Sequence, residues 1–223
     1  MSERATSLIR QRRLLIGPWY TQPDLFSIST ESVFRNLRIG IELARAAGGC
    51  MDVLYLPDTF GSPAQLPQLA AAFGLRHILL RRGYDPEVMG ATEMRWQAAS
   101  GDCVTTAIMP FGYSLAHPER GGRWRNFSLS HVETETFPLI ARLKQLTPCR
   151  HLLCPIGGDQ VSCDGDFARL IAELNAHSED EFILSSYEDY FAALNEEDLP
   201  LWQGEFRRPR LSRVHKTIGS SRY

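Results

Sequence analysis

This 223-residue chain is short of several things that would assign it quickly. No apolar run approaches the roughly 20 residues that span a bilayer, so no membrane partner is expected. The polar, basic N-terminus MSERATSLIRQRR has no apolar stretch behind it and does not read as a secretory signal. Neither GxGxxG nor a Walker pattern follows any apolar run, which excludes the common nucleotide-binding loops. Basic side chains have no surplus: 24 stand against 26 acidic ones, which argues against nucleic acid as the main partner. The five cysteines are an odd number and form no CxxC pair, so they read as buried, reduced thiols of a cytoplasmic protein. Low-complexity tracts, internal repeats and Gly/Ser linkers are absent as well, and a mean hydropathy of -0.21 fits a soluble globular chain.

What is present is an alternation of apolar strand-like runs and helix-like segments. Strands are expected at Arg13–Ile16, Met51–Leu56, His77–Leu80, Cys103–Met109, His151–Ile156 and Phe182–Ser185. Helices are expected at Ser29–Ala47, Pro63–Phe73, His131–Leu146, Asp166–Asn175 and Tyr187–Leu194. The second of these helices is closed by Gly74, and the first is stopped by Gly48-Gly49. This βαβα order predicts an α/β fold with a parallel sheet, closed or nearly closed into a barrel. The basic, polar stretch Gly204–Tyr223 shows no clear element.

Two acids follow strand-like runs. Asp58 comes after Val53-Leu54-Tyr55-Leu56-Pro57, and Asp159 after His151 to Ile156 and the pair Gly157-Gly158. In parallel α/β architectures ligands bind at strand carboxyl ends. Two carboxylates there are what retaining glycoside hydrolysis uses, one as nucleophile and one as acid/base, about 5–5.5 Å apart. The plain alternative is that each Asp caps the turn or helix that follows, the commoner task for Asp at such a position. For Trp96 and Trp124, core packing competes with a role as a sugar platform.

The blocks GPWYTQPD, YLPDTFGSPAQLPQLAAAFG, HILLRRG, MRWQA, IMPFGY and CPIGGDQ occur in that order. Together they resemble the catalytic domain of glycoside hydrolase family 38, the α-mannosidases, most closely bacterial members that include mannosylglycerate hydrolases. The resemblance runs from about Leu14 to the C-terminus. It implies a seven-stranded (β/α) barrel and hydrolysis of α-mannosidic bonds with retention. It implies Asp58 as nucleophile and ligand of a divalent metal, usually zinc, and Asp159 as acid/base. It also implies that Arg82 holds Asp58 or sugar oxygens, that Tyr113 hydrogen-bonds near the nucleophile, and that Trp19 and Asp24 help line the sugar pocket. Arg81, beside Arg82, could serve in its place.

The chain departs from the pattern in its metal ligands. It has no His-x-Asp motif, and His215, in RVHKTIGSSRY, is not a convincing replacement for the family's later histidine. Of four implied protein ligands, Asp58 alone is present. The expectation is a partial (β/α) barrel over residues 1–203 that lacks its opening strand, followed by a basic segment, 204–223, leading toward a further domain. Such a chain would be a fragment of a longer enzyme, or a shortened member completed by a partner chain or a homo-oligomer. The rival readings are a non-catalytic remnant or sugar-binding scaffold and, more remotely, a metal-dependent deacetylase, for which no Asp-Asp-His-His cluster is found.

Overall fold

The computed structural model describes residues 2–113, 132–159 and 167–215. They fall into two compact units, residues 1–110 with 195–223, and residues 111–194.

The first unit opens with helix α1, Glu3–Arg10, started by Ser2, whose hydroxyl accepts from Ala5 N. The strand expected at Arg13–Ile16 does not form. The backbone reverses at Arg12, φ 58°, and the amides of Arg13 and Leu14 bond back to Leu8 O at the helix end. Those donors are therefore spent locally. Helix α2, Thr30–Ala47, forms as its periodicity predicts. Ser29 caps it, Gly48 ends it at φ 128°, and Val33, Leu37, Ile41 and Ala44 make the buried stripe. Gly40 sits in that stripe because a Cβ there would lie 2.2 Å from Pro18 O. The missing side chain lets the loop carrying Trp19 run along the helix. Asn36 fastens it, accepting from Tyr20 N at 2.9 Å and donating to Thr21 O at 2.8 Å.

The remaining elements of this unit are β1 (Val53–Leu56), α3 (Leu66–Ala72), β2 (His77–Leu80), α4 (Pro86–Met89), β3 (Glu93–Gln97), β4 (Cys103–Ile108) and β5 (Leu201–Gln203). The strands form one sheet in the order β1-β2-β4-β3-β5. The β1–β2 and β2–β4 pairs are parallel, and Val53, His77 and Thr105 share a level. The expected all-parallel arrangement needs correction at β3, which runs antiparallel to β4. Only Ala98–Asp102 joins the two, with Ala98 N–H donating to Asp102 O at 2.9 Å and Gly101 at φ 92°. A parallel crossover needs a dozen or more residues, so this link can close only a hairpin. The result is a mixed, mostly parallel α/β sheet.

Leu54, Leu56, Ile78, Leu80, Trp96 and Ile108 pack with Leu37 and Ile41 of α2 in one core. Trp96, fully buried, is a core residue; Trp124 lies outside the described residues. Phe206, from the stretch that showed no element, is also fully buried and meets Trp96 edge-on at 4.6 Å. Its amide and carbonyl exchange bonds with Ser62 at 2.9 and 2.8 Å. Gly83, at φ 91°, passes so close that a Cβ would lie 2.3 Å from Phe206 O.

In the second unit a π-helical turn, Val132–Thr136, leads into α5 (Phe137–Lys144), whose start is set by Pro138; α6 (Phe167–Ala176) and α7 (Tyr187–Ala192) follow. The expected strands His151–Ile156 and Phe182–Ser185 are extended chain without a ladder. Leu152 and Cys154 turn toward α5 instead, and Ile183 and Leu184 are exposed. Four cysteines, Cys50, Cys103, Cys149 and Cys154, are among the described residues. Burial, helped by the charge of Asp180, pushes Cys154 up to about 12. The expectation of buried thiols needs correction: Cys50, Cys149 and Cys154 are half-buried, and Cys103 is exposed at the first position of β4, next to the hairpin turn.

Phe206→Ala removes a fully buried ring. It is expected to destabilise the chain by about 3–5 kcal/mol in urea unfolding. A loss below about 1 kcal/mol would show that residues 204–215 are not part of this core.

Candidate active site

β1 and β2 pair in parallel with Leu56 beside Leu80, so the residues after each strand leave the sheet side by side. Pro57 and Asp58 leave one strand, Arg81 and Arg82 the other. Oδ1 of Asp58 accepts from Arg81 Nη1 at 3.0 Å and from Arg82 Nη2 at 2.8 Å. The carboxylate is 47% exposed while the arginine side chains are 27% and 14% exposed, so a reachable anion rests on a mostly buried cationic bed. Charge-assisted bonds of this kind are about twice as strong as neutral ones. Asp58 does not cap the helix that follows it: the N-cap of α3 is Gln65, which makes no side-chain bond. Both arginines serve, where the sequence offered them as alternatives.

The arginine bed continues into an aromatic stack. The Arg82 guanidinium lies over Phe60, 4.4 Å from the ring centre, and Phe60 stacks on His215 at 3.9 Å and 2°. His215 Nδ1 is 2.8 Å from Asp24 Oδ2. Since a carboxylate only accepts, that nitrogen carries the proton. Asp24 also accepts from Ser27 Oγ at 2.8 Å and from Phe60 N at 3.1 Å. Asp24, Phe60, Arg82 and Asp58 are thus linked by successive contacts. Burial alone would raise the Asp24 carboxyl. The bond to His215, those from Ser27 and Phe60, and the nearby imidazole outweigh it and hold Asp24 below its ordinary 3.8. Trp19 is 7% exposed within the core, and its Nε1 has no hydrogen-bond partner among the described residues.

Sequence reasoning set His215 aside as a metal ligand and gave it no other role. It lies 191 positions from its partner Asp24 and belongs to no spacing motif, so no local pattern marks it.

Tyr113 and Asp159 belong to the second unit. The Tyr113 hydroxyl donates to Asp159 Oδ1 at 2.9 Å. Gly157 lies against Tyr113, where a Cβ would be 3.1 Å from its carbonyl oxygen. The structure therefore bonds the tyrosine to the second acid.

A zinc ion needs three or four ligands in fixed geometry. Among the described residues no group of three or more His, Cys, Asp or Glu could hold a metal. Asp58 has two guanidiniums on one oxygen, a poor setting for a second cation. The described residues do not fit a zinc centre.

A carboxyl held below its ordinary value adds stability above that value and loses it as pH falls through the lowered one. Asp24→Asn is therefore expected to cost about 1–2 kcal/mol at pH 7. The deficit should shrink as pH drops below 3.8. An equal deficit at pH 7 and pH 3 in denaturant titrations would show that the His215 contact contributes nothing.

Comparison with known proteins fits this architecture. The family model for the glycosyl hydrolases family 38 N-terminal domain matches residues 1–205. A Halalkalibacterium halodurans protein provisionally named a mannosylglycerate hydrolase is 29% identical over 220 residues, covering 91% of this chain and 24% of that protein. The crystal structure of an α-mannosidase from Enterococcus faecalis superposes with a TM-score of 0.77 at 27% identity, covering 92% of this chain and 23% of that one. A second Enterococcus faecalis structure, of a protein in glycosyl hydrolase family 38, shares the fold with a TM-score of 0.68 at 24% identity, covering 91% and 21%. The chain spans about a quarter of the length of these relatives. A family model matched from residue 1 to residue 205, on a fold shared with an α-mannosidase, makes this chain a member of glycosyl hydrolase family 38.

Proposed function

We propose that the chain carries catalytic residues of an α-mannosidase that works with retention of configuration, on a part of the seven-stranded (β/α) barrel. The observation that carries this reading is Asp58. It is a half-exposed carboxylate after β1, the strand at one edge of the sheet, oriented by two arginines that follow the adjacent parallel strand β2, in a chain of this family.

In the proposed reaction a carboxylate oxygen of Asp58 attacks the anomeric carbon of a mannoside as the bond to the leaving oxygen breaks. Asp159 gives that oxygen its proton. Water then attacks the same carbon and gives a proton to Asp159, and the bond to Asp58 breaks. Arg81 and Arg82 fix the attacking carboxylate and balance its charge. Asp24 and His215 brace Phe60 beneath Arg82, and we place Trp19 behind that wall. Since the described residues do not fit a zinc centre, no step is routed through a metal. No helix among the described residues is long and apolar enough to cross a membrane, and we place the protein in the cytoplasm.

A second reading, a sugar-binding scaffold without turnover, is favoured by the lack of a metal-holding group among the described residues. Metal analysis separates the two. Stoichiometric zinc, with mannosidase activity that a chelator abolishes, would rule the scaffold out.

A 2-deoxy-2-fluoro-mannosyl fluoride is expected to label Asp58, located by peptide mass spectrometry. Asp58→Asn is expected to cut kcat by at least about 10³-fold. Label on another carboxylate would overturn the assignment.

A further inference from the structure

The chain from Phe111 to Tyr113 is built like a bracket. Phe111 packs on Ile140 and Leu143 of α5, and the Arg142 guanidinium lies 4.7 Å from its ring centre. Gly112, at φ 89°, turns the backbone through a conformation that L side chains rarely adopt. Tyr113 follows with its hydroxyl 2.9 Å from Asp159 Oδ1. Asp159 arrives on a second arm, fastened to the same apolar cluster by Leu152 and Cys154. That arm ends in the turn where Gly157 touches the Tyr113 carbonyl. Both ends of the hydrogen bond therefore hang from one anchor.

We propose that Tyr113 is the positioning residue of Asp159 and holds its carboxyl through both proton transfers. The inference rests on the reading of Asp159 as acid/base. An acid/base is protonated before the first step and ionised after it. Its partner must accept either form. A guanidinium only donates, and its positive charge favours the carboxylate over the acid, so it would hold the group in one form. A phenol hydroxyl can donate to a carboxylate and can accept from, or still donate to, a carboxylic acid. The Tyr113 bond can therefore persist while the proton leaves Asp159 for the glycosidic oxygen and while water returns one. The carboxyl need not reorient between steps, and a misplaced proton donor is costly. Asp58 changes no proton in the scheme, and its partners are two groups that only donate.

Leaving-group dependence tests this. Methyl α-mannoside needs a proton on its departing oxygen, whereas 2,4-dinitrophenyl α-mannoside does not. Asp159→Asn should lower kcat/KM about 10²–10⁴-fold for the methyl glycoside and far less for the dinitrophenyl one. Tyr113→Phe, which removes the hydroxyl and keeps the ring, should lower it roughly tenfold for the methyl glycoside and less than about threefold for the other. Equal losses on both substrates in Asp159→Asn would overturn the reading of Asp159, and this inference with it. A selective loss in Asp159→Asn with none in Tyr113→Phe would overturn the role of Tyr113 alone. A measurement independent of turnover completes the test. In carbon-13 NMR, Tyr113→Phe should move the Asp159 carboxyl resonance, and Asp159→Asn should move the Tyr113 Cζ resonance. Resonances that stay in place in both variants would overturn the bond.

Discussion

The parallel pairing of β1 with β2 is the constraint on which the setting of Asp58 depends. Pairing Leu56 with Leu80 ends both strands at one level, and two loops of unlike charge leave from there. A one-residue slip would turn every side chain of a strand to its opposite face. It would also separate Asp58 from the guanidiniums that now share one of its oxygens at 3.0 and 2.8 Å. The register is secured from below, because Val53, Leu54, Leu56, Ile78, Leu79 and Leu80 are all buried. The apolar strands thus set the charge geometry above them.

Phe60 passes that order outward. Its ring lies under Arg82 and stacks on His215, its amide donates to Asp24, and its carbonyl accepts from His215 N at 2.9 Å. One side chain thereby joins the Asp58 loop to chain far away in sequence on either side. The join at 204–215 is secured independently by Phe206, which is buried against Trp96 and bridged to Ser62. Beyond a strand's end the backbone groups lack a continuing ladder. Here aromatic stacking and two acceptor-rich contacts replace that ladder.

The parts legible in the sequence are those whose physics is local. α2 announces itself through Ser29, the stripe Val33-Leu37-Ile41-Ala44 and Gly48. The strands β1 and β2 are short, mostly apolar runs, and β4 adds Val104, Ala107 and Ile108 around two threonines, as befits strands covered on both faces. Asp58 stands out because it follows one of them. Several of the misses are long-range. In β3, Arg95 breaks the apolar run, and only pairing with β4 and β5 makes it a strand. β5 is three residues long. Phe206 sits in a basic stretch and gains its meaning from Trp96 and Gly83, more than 100 residues earlier. Conversely, Arg13–Ile16 has a strand's composition, but α1 and the turn at Arg12 consume its amides first.

The two acids also differ in what holds them. Asp58 is gripped by cations that can only donate, supported by an aromatic stack and a carboxylate further out. Asp159 meets a neutral hydroxyl that can reverse its role, on a turn whose glycines let backbone press against backbone. Paired carboxylates with unlike surroundings are the usual physical basis for dividing a nucleophile's work from a proton carrier's. A group that must stay an anion profits from fixed positive charge, whereas a group that must change its charge twice in each cycle would be trapped by it. On the roles proposed above, guanidiniums suit Asp58 and a phenol suits Asp159, and exchanging the two environments is expected to impair both acids with every carboxylate still in place.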